Sequence, residues 1–179
     1  SQKLTLMKTS ADSLKKSADA LNDSSLWEKK KIKKKDEKTG EEIEVEDYDW
    51  DKITKAVKSF VEDYNDVVKE AGESNTKDVL RNASWMTGMT DKNSNMLAKI
   101  GITIGKGNKL ELDEDALKQA DISSLKTVFT GYNSFVSKIS QKATGISNAA
   151  NRASATYTNN GTYSKTDSSL TSSKIDKEV

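Results

Sequence analysis

Residues 53–71 read ITKAVKSFVEDYNDVVKEA, and this stretch decides the fold. Its apolar side chains recur in steps of four and three residues, at Ile53, Val57, Phe60, Tyr64, Val67 and Ala71. That period places them on one face of a helix. Asp49 or Asp51 can cap the first turn, and Gly72 can end the helix. The stretch therefore predicts an amphipathic helix of about five turns.

Two further heptad seams flank this helix. The first comprises Leu4, Met7, Ala11, Leu14, Ala18 and Leu21. The second comprises Tyr132, Val136, Ile139, Ala143, Ile146, Ala150, Ala153 and Tyr157. Helices at 4–21, 53–71 and 132–157 are expected to pack as a bundle or coiled-coil stem. Packing onto another subunit explains the seams equally well, which makes the following side chains candidates for subunit contact: Leu4, Met7, Leu14, Leu21, Tyr132, Val136, Ile139 and Ile146.

Two segments predict β-hairpins, at 29–47 and 100–112. In the first, a lysine run containing Ile32 meets an acidic run across a turn in which Gly40 suits a left-handed position. An odd sum of paired residue numbers would set Ile32 opposite Ile43 or Val45. It would also set Lys31, Lys33 and Lys35 against Glu42, Glu44 and Glu46. In the second hairpin, β-branched residues alternate around a glycine-rich turn.

Shorter elements fill the remaining sequence. Residues 76–100 predict one or two helices broken near Gly88 and at 93–95. Asp113 is placed to cap a short helix at 114–120, and 122–129 predict one or two amphipathic turns. We expect residues 1–157 to form a single elongated helical domain, mainly α with small β-hairpins. The Ser/Thr-rich tail at 158–179 has few apolar anchors and is expected to be flexible.

Composition excludes several classes of function. The 179 residues contain 29 Lys and Arg against 28 Asp and Glu, so no net basic field attracts nucleic acid. The chain has no His and no Cys, which removes the commonest catalytic base and the thiolate ligands of zinc. We therefore expect no enzyme activity, no cofactor and no metal. No apolar run reaches the roughly 20 residues of a membrane span, and no secretory apolar segment follows Ser1.

Three local patterns have ordinary structural explanations. The acidic cluster at 113–115 could attract a hard cation, but a helix cap with favourable first-turn charges accounts for it. The GKG sequence at 105–107 lacks the spacing of a phosphate-binding loop and fits a tight hairpin. The six lysines within 29–35 form a strong local field, which the acidic partner strand largely cancels. We interpret this segment as a solvated hairpin arm.

The order of three motifs resembles the C-terminal conserved region of the flagellar filament-capping family, also called flagellar hook-associated protein 2. FVEDYNDVV at 60–68 is similar to the family's F-V-x-x-Y-N-x-x-V helix. LAKIGI at 97–102 with GNKLELD at 107–113 resembles its L-x-x-x-G-I and G, L, L-D pattern, and VFTG at 128–131 resembles its turn into a long helix. The residues carrying the resemblance are Phe60, Val61, Tyr64, Asn65, Gly101, Ile102, Gly107, Leu110, Asp113, Phe129 and Gly131.

The resemblance covers about residues 49–175 and implies a structural role. Its members are exported through the flagellar channel, sit at the distal end of the filament and guide the folding of flagellin. The implied partners are copies of this chain and flagellin or other axial proteins, outside the cell, without a cleaved signal. The family's N-terminal segment, large β-rich insertion and terminal coiled coil are not complete here, which suggests a shortened relative or a fragment.

Two alternatives remain open from sequence. One is a secreted adhesion or binding module that uses the charged hairpin. The other is a coiled-coil component of a phage tail or secretion apparatus. Phe60, Tyr64 and Val68 could also form a recognition face, although aromatic side chains at heptad positions are more often core.

Overall fold

The structure, a computed structural model, describes residues 2–166, with side chains described to residue 156. The helices are α1 (Gln2–Leu21), α2 (Trp50–Gly72), α3 (Lys77–Lys92), α4 (Ser94–Ala98), α5 (Glu114–Gln119), α6 (Ile122–Phe129) and α7 (Phe135–Thr166). The strands are β1 (Lys30–Lys35), β2 (Glu42–Asp47), β3 (Ile102–Ile104) and β4 (Leu110–Leu112). The predicted fold class, mainly α with two small hairpins, is confirmed.

Helix α2 occupies the predicted position. The Asp49 carboxylate accepts a hydrogen bond from the backbone N–H of Lys52 at 3.1 Å, so Asp49 is the cap and Asp51 lies inside the first turn. Gly72 is the last helical residue. All six heptad side chains of residues 53–71 are buried, as the period requires.

The core is a helical bundle in which α1 lies between α2 and α7. Helix α1 packs most extensively on α7, and α3 covers another side of α7. Asp12 contacts Ser147 and Asp19 contacts Ser140, so α1 and α7 run antiparallel. The side chains of the α1 seam are buried from Met7 to Leu21. On α7 the buried seam side chains are Val136, Ile139, Ala143, Ile146 and Ala150, whereas Ala153 is only partly buried. The buried seam side chains are therefore covered by helices of the same chain.

The predicted start of the third seam at Tyr132 is wrong. Tyr132 is 84% exposed and precedes α7. Gly131 adopts a positive φ of 103°, which turns the chain, and the Ser134 hydroxyl accepts a hydrogen bond from the N–H of Ser137 at 3.1 Å. The helix therefore begins at Phe135, whose ring is buried beside Val136.

Both predicted hairpins form, and the first has the predicted odd pairing sum. Ile32 pairs with Val45, which selects one of the two registers left open, and the three lysines face the three glutamates as expected. Gly40 has a φ of 71° in the connecting turn. In the second hairpin Ile102 pairs with Leu112, and Ile102 and Leu110 are buried. This second hairpin packs on the bundle through α2 and α4.

Two predicted boundaries need correction. Helix α3 continues through Gly88, because its neighbours already commit the segment to a helix and a glycine costs only about 1 kcal/mol there. The break occurs at Asn93, as predicted for 93–95. Helix α7 continues nine residues beyond the expected end at 157, through 159–161, to Thr166. The rest of the predicted tail, 167–179, lies outside the described residues.

Candidate assembly surfaces

Aromatic motif residues build the centre of the core. Phe60 lies 6.3 Å from Phe135, 6.5 Å from Phe129 and 6.2 Å from Tyr64, measured between ring centroids. Phe129 stacks on Trp27 at 5.5 Å with nearly parallel rings. All five rings are at most 3% exposed. Phe60 therefore joins α2 to α6 and α7, with the buried ring of Tyr64 beside it. Val68 is partly buried against the same core, so the suggested recognition face of Phe60, Tyr64 and Val68 is used mainly for internal packing.

Asn65 is a backbone clamp. Its Nδ2 donates a hydrogen bond to the carbonyl of Leu110 at 2.9 Å, and its Oδ1 accepts one from the N–H of the same residue at 2.7 Å. Leu110 belongs to β4, whose other backbone edge pairs with β3. The Asn65 amide thus makes the two backbone hydrogen bonds that a neighbouring strand would otherwise make with Leu110, and it fixes the second hairpin against α2. The motif helix holds β4 by this amide.

Replacing Asn65 by alanine is expected to destabilise the protein by about 1 to 3 kcal/mol, because two backbone groups of the nearly buried Leu110 lose their partners. Urea unfolding would measure the loss. Amide hydrogen exchange at Leu110 should accelerate more than exchange within α1. Asp66→Ala, an exposed change on the same helix, is the control. Equal stability of the two variants would contradict the clamp.

Tyr64 carries a buried hydroxyl. It donates to the Thr90 hydroxyl at 2.8 Å, and Thr90 in turn donates to the carbonyl of Met86 at 2.9 Å. Burial raises the pKa of Tyr64 to about 12, although the hydrogen bond with Thr90 acts in the opposite direction. The phenol is therefore kept neutral in the folded state, where it links α2 to α3.

This raised pKa predicts a loss of stability in alkali. In the unfolded chain Tyr64 deprotonates near pH 10, whereas the folded protein keeps the proton to about pH 12. The unfolded state then binds fewer protons, so stability falls between these values by about 2 to 3 kcal/mol. Urea unfolding at pH 9 and pH 11.5 measures it. Tyr64→Phe should lose less over this interval, since lysine titration is common to both proteins. Identical losses would refute the assignment.

The glycine and aspartate of the second motif close the base of the β3–β4 hairpin. Gly101 has a φ of 92°, and its carbonyl accepts a hydrogen bond from the N–H of Asp113 at 2.8 Å. The Asp113 carboxylate accepts from the N–H of Ala116 at 3.1 Å, which confirms it as the cap of α5. Gly107 supplies the left-handed turn at the hairpin tip, with a φ of 69°.

A second asparagine clamp joins the ends of α1 and α7. Asn22 donates to the carbonyl of Gly131 at 3.2 Å and accepts from its N–H at 2.8 Å. Gly131, the last glycine of the motifs, is therefore held by Asn22 in the turn that leads into α7. All eleven family-motif residues thus lie in the core or in backbone junctions. Within residues 2–156 no cluster of three potential metal ligands was found.

The candidate contact residues of the seams are mostly internal. Met7, Leu14 and Leu21 of α1, and the α7 side chains Val136, Ile139 and Ile146, are at most 2% exposed. Leu4 is partly buried against the same core. Of the eight candidates, Tyr132 alone projects into solvent.

Polar pairs along the α1–α7 seam were not anticipated from sequence. Ser140 donates to Asp19 and Ser147 donates to Asp12, each at 2.6 Å. Burial tends to raise the pKa of both carboxyls, but hydrogen bonds from lysines one turn away and from these serines outweigh it and lower the pKa. Asp12 and Asp19 are seven residues apart, as are Ser140 and Ser147, and this equal spacing was the sequence signal for the two pairs. These bonds fix the antiparallel register.

Several large apolar side chains remain exposed. Trp85 on α3 is 53% exposed, with the Lys142 ammonium 5.1 Å from its ring centroid. Partly exposed aromatic and basic side chains of this kind are common anchors in protein interfaces. The exposed large apolar side chains of the described residues are Leu6, Ile43, Leu80, Trp85 and Tyr132.

A groove of about 340 Å³ lies between the start of α1 and the α2–α3 turn. Leu6 and Met7 give it an apolar side, and Glu70 and Glu73 give it an acidic side. Ser10 donates to one oxygen of Glu70 at 2.7 Å, while the other oxygen is buried without a hydrogen bond in the described structure. Burial raises the pKa of this carboxyl.

The β1–β2 hairpin stands apart from the bundle. Each strand packs mainly on the other, and neither packs extensively on a described helix. At its base Lys29 lies 5.6 Å from the ring centroid of Tyr48, which packs against the core. The hairpin is therefore an arm anchored at one end, as the sequence suggested.

None of the helices within residues 2–166 combines the length and the apolar character needed to cross a membrane. No curated protein and no solved structure matches the chain. A family model described as flagellar hook-associated protein 2 C-terminus matches residues 71–178, more than half of the chain. The match includes the second and third motifs and begins after FVEDYNDVV at 60–68. The chain belongs to the flagellar hook-associated protein 2 family.

Proposed function

We propose that this chain is a non-enzymatic structural subunit of the bacterial flagellum that acts in filament assembly as a cap-like protein. The match of the family model to residues 71–178 carries the proposal. It is supported by the use of the motif residues, which hold the helical body together. The residues that typify the family thus specify a rigid body, as a structural subunit requires.

The proposed location is extracellular, at the distal end of the filament, reached by export through the flagellar channel. The proposed partners are copies of this chain and flagellin or another axial protein. We assign contact with these partners to exposed side chains, because six of the eight candidate contact residues of the seams are buried in the core. Trp85 on α3 and Tyr132 at the α6–α7 turn are the proposed anchors.

Both anchors have properties suited to reversible subunit contact. Their rings are large and have few rotatable bonds, so burying them in an interface releases much water at little conformational cost. Trp85 lies on α3 and Tyr132 lies in the turn between α6 and α7, and neither contributes to the core. Truncation of either ring should therefore leave folding intact while weakening association.

Light scattering after size exclusion tests the function directly. The protein should form oligomers as its concentration rises, or a mixed complex when monomeric flagellin is added. Trp85→Ala and Tyr132→Ala should each weaken association about tenfold, a typical loss for an interface anchor. Arg81→Ala, another exposed change on α3, is the matched control for Trp85.

A protein that stays monomeric at all concentrations and never engages flagellin would overturn the cap-like function. Such a monomer adhering to surfaces would favour the adhesion module instead. Oligomers that ignore both truncations would keep the function and reject the two anchors.

A further inference from the structure

Within residues 2–166, no further strand pairs with either edge of the projecting β1–β2 hairpin. Isolated two-stranded hairpins are only marginally stable in water, and open edges are templates for pairing with another strand. Natural proteins often prevent such pairing with charged side chains on the edge strand, and here the sign of the charge differs between the two strands. β1 carries five lysines in six residues, and β2 carries four carboxylates in six residues.

The charges discriminate between possible pairings. Two β1 edges would set lysines against lysines, and two β2 edges would set carboxylates against carboxylates. Like charges on opposed strands are destabilising, whereas opposite charges stabilise a cross-strand pair. A β2 edge therefore accepts a β1 edge and rejects a copy of itself. This combination of attraction and exclusion is how a surface selects one partner.

The backbone geometry supports the same pairing. The N–H of Asp36 donates to the carbonyl of Glu41 at 2.8 Å, which sets the alternation of hydrogen-bonded pairs along the ladder. By that alternation, the backbone N–H and C=O groups of Ile32 and Val45 form hydrogen bonds with each other. The outward N–H and C=O groups then belong to Lys31, Lys33 and Lys35 on one edge and Glu42, Glu44 and Glu46 on the other.

We propose that the acidic β2 edge of one copy binds the basic β1 edge of a second copy, antiparallel, so that hairpins join head to tail. This inference rests on the proposed function, because it assigns one interface to the self-association proposed there. Head-to-tail contacts use two different surfaces and lead to rings or open chains rather than closed dimers. Copies related by rotation about an axis that runs along the strands keep the strand directions, so the β2 edge of one copy and the β1 edge of the next are antiparallel.

The apolar residues of the hairpin fit such a sheet. By the observed register, Ile32, Ile43 and Val45 share one face. None belongs to the core of the described residues, and Ile43 is 39% exposed. Lys34 and Asp47 form an ion pair of 2.6 Å on the same face. In the extended sheet Ile43 and Val45 lie beside Ile32 of the second copy, which joins their apolar surfaces.

A charge-swapped variant tests the pairing. Lys31, Lys33 and Lys35 are replaced by Glu, and Glu42, Glu44 and Glu46 by Lys. Each cross-strand pair within the hairpin keeps opposite charges, and the net charge is unchanged. The variant should associate with itself as the original does. Mixed pairs would set like charges together, so mixed oligomers should be at least about tenfold rarer than random mixing gives. Native mass spectrometry of isotopically labelled mixtures measures this.

Free mixing of the two proteins would overturn the inference while leaving the proposed function intact, since association would then lie elsewhere. Exclusive self-sorting, with association that weakens in high salt, would support it. Absence of association in the original protein would overturn it as well. Loss of flagellin binding in addition would be needed to overturn the proposed function.

A second variant decides the matter if the swapped hairpin does not fold. Lys33→Pro removes one outward N–H, which an edge strand tolerates in the monomer. It should lower self-association about tenfold or more, whereas Lys33→Ser, which keeps that N–H, should change it less. Association of Lys33→Pro equal to that of Lys33→Ser would overturn the pairing. Circular dichroism checks that the helical bundle is unchanged.

Discussion

Replacing Phe60 by alanine is expected to lower the free energy of unfolding by about 3 to 5 kcal/mol. The ring is fully buried and contacts the rings of Tyr64, Phe129 and Phe135, which belong to three different helices. These neighbours cannot all move into the space left by the side chain. The loss is a large fraction of the roughly 5 to 15 kcal/mol that stabilises a domain.

Urea unfolding followed by circular dichroism measures this change. Phe60→Leu keeps much of the volume and should lose less than half as much. Lys55→Ala, an exposed change on α2, should stay within about 0.5 kcal/mol of the original protein. A loss below about 1 kcal/mol for Phe60→Ala would show that the ring is not central to the core.

Replacing Gly101 by alanine is expected to destabilise the protein by about 3 kcal/mol or more, from backbone strain and overpacking together. A Cβ here would meet the carbonyl oxygen of Asp113 at 2.7 Å and the N–H nitrogen of Leu117 at 2.9 Å. Both are backbone atoms and cannot rotate away. The substitution would also force alanine to a φ of 92°.

Two other glycines separate these causes. Gly107 has a positive φ of 69° but open space around it, so Gly107→Ala should cost only about 1 to 2 kcal/mol. Gly88 lies inside α3 with open space, so Gly88→Ala should stabilise the protein by about 0.5 to 1 kcal/mol. Thermal unfolding of the three variants gives the order. A Gly101→Ala variant as stable as Gly107→Ala would contradict the close approach.

These predictions bear on what the family motifs do. Phe60 and Gly101 are motif residues, yet each acts on the fold rather than on a partner. Variants at such positions should impair assembly only in proportion to their loss of stability. Variants at Trp85, Tyr132 or the hairpin should impair assembly at unchanged stability. That contrast separates the body of the subunit from its contact surfaces.

The sequence predicted those elements whose residues are specified by local periodicity or by immediate neighbours. The heptads of α1 and α2 gave the buried faces, and the opposed charges with Ile32 gave the hairpin register. Asp113 and Gly40 could be assigned because a cap and a left-handed turn depend on a few adjacent residues. The family was predictable from the order of motifs, although the matched segment excludes the first of them.

Sequence reasoning failed where distant residues decide. Tyr132 continues the period of α7, but the turn at Gly131, held by Asn22, places it in solvent. Helix α3 tolerates Gly88, and α7 continues through 159–161, because propensities of single residues are small beside the helix around them. The partners of Asn65, Asp12 and Asp19 lie 45 to 135 residues away in sequence, so no local pattern indicates them.

The lysine-rich arm shows both contributions together. The sequence by itself determined that 29–47 forms a hairpin with opposite charges on its strands, because pairing across a short turn is a local matter. Only the tertiary structure decided that this hairpin projects from the bundle with neither edge paired to another described strand, while the β3–β4 hairpin is held by Asn65. The physical reason is burial: Ile102 and Leu110 find an apolar surface to cover, whereas the charged side chains of β1 and β2 keep that hairpin in water.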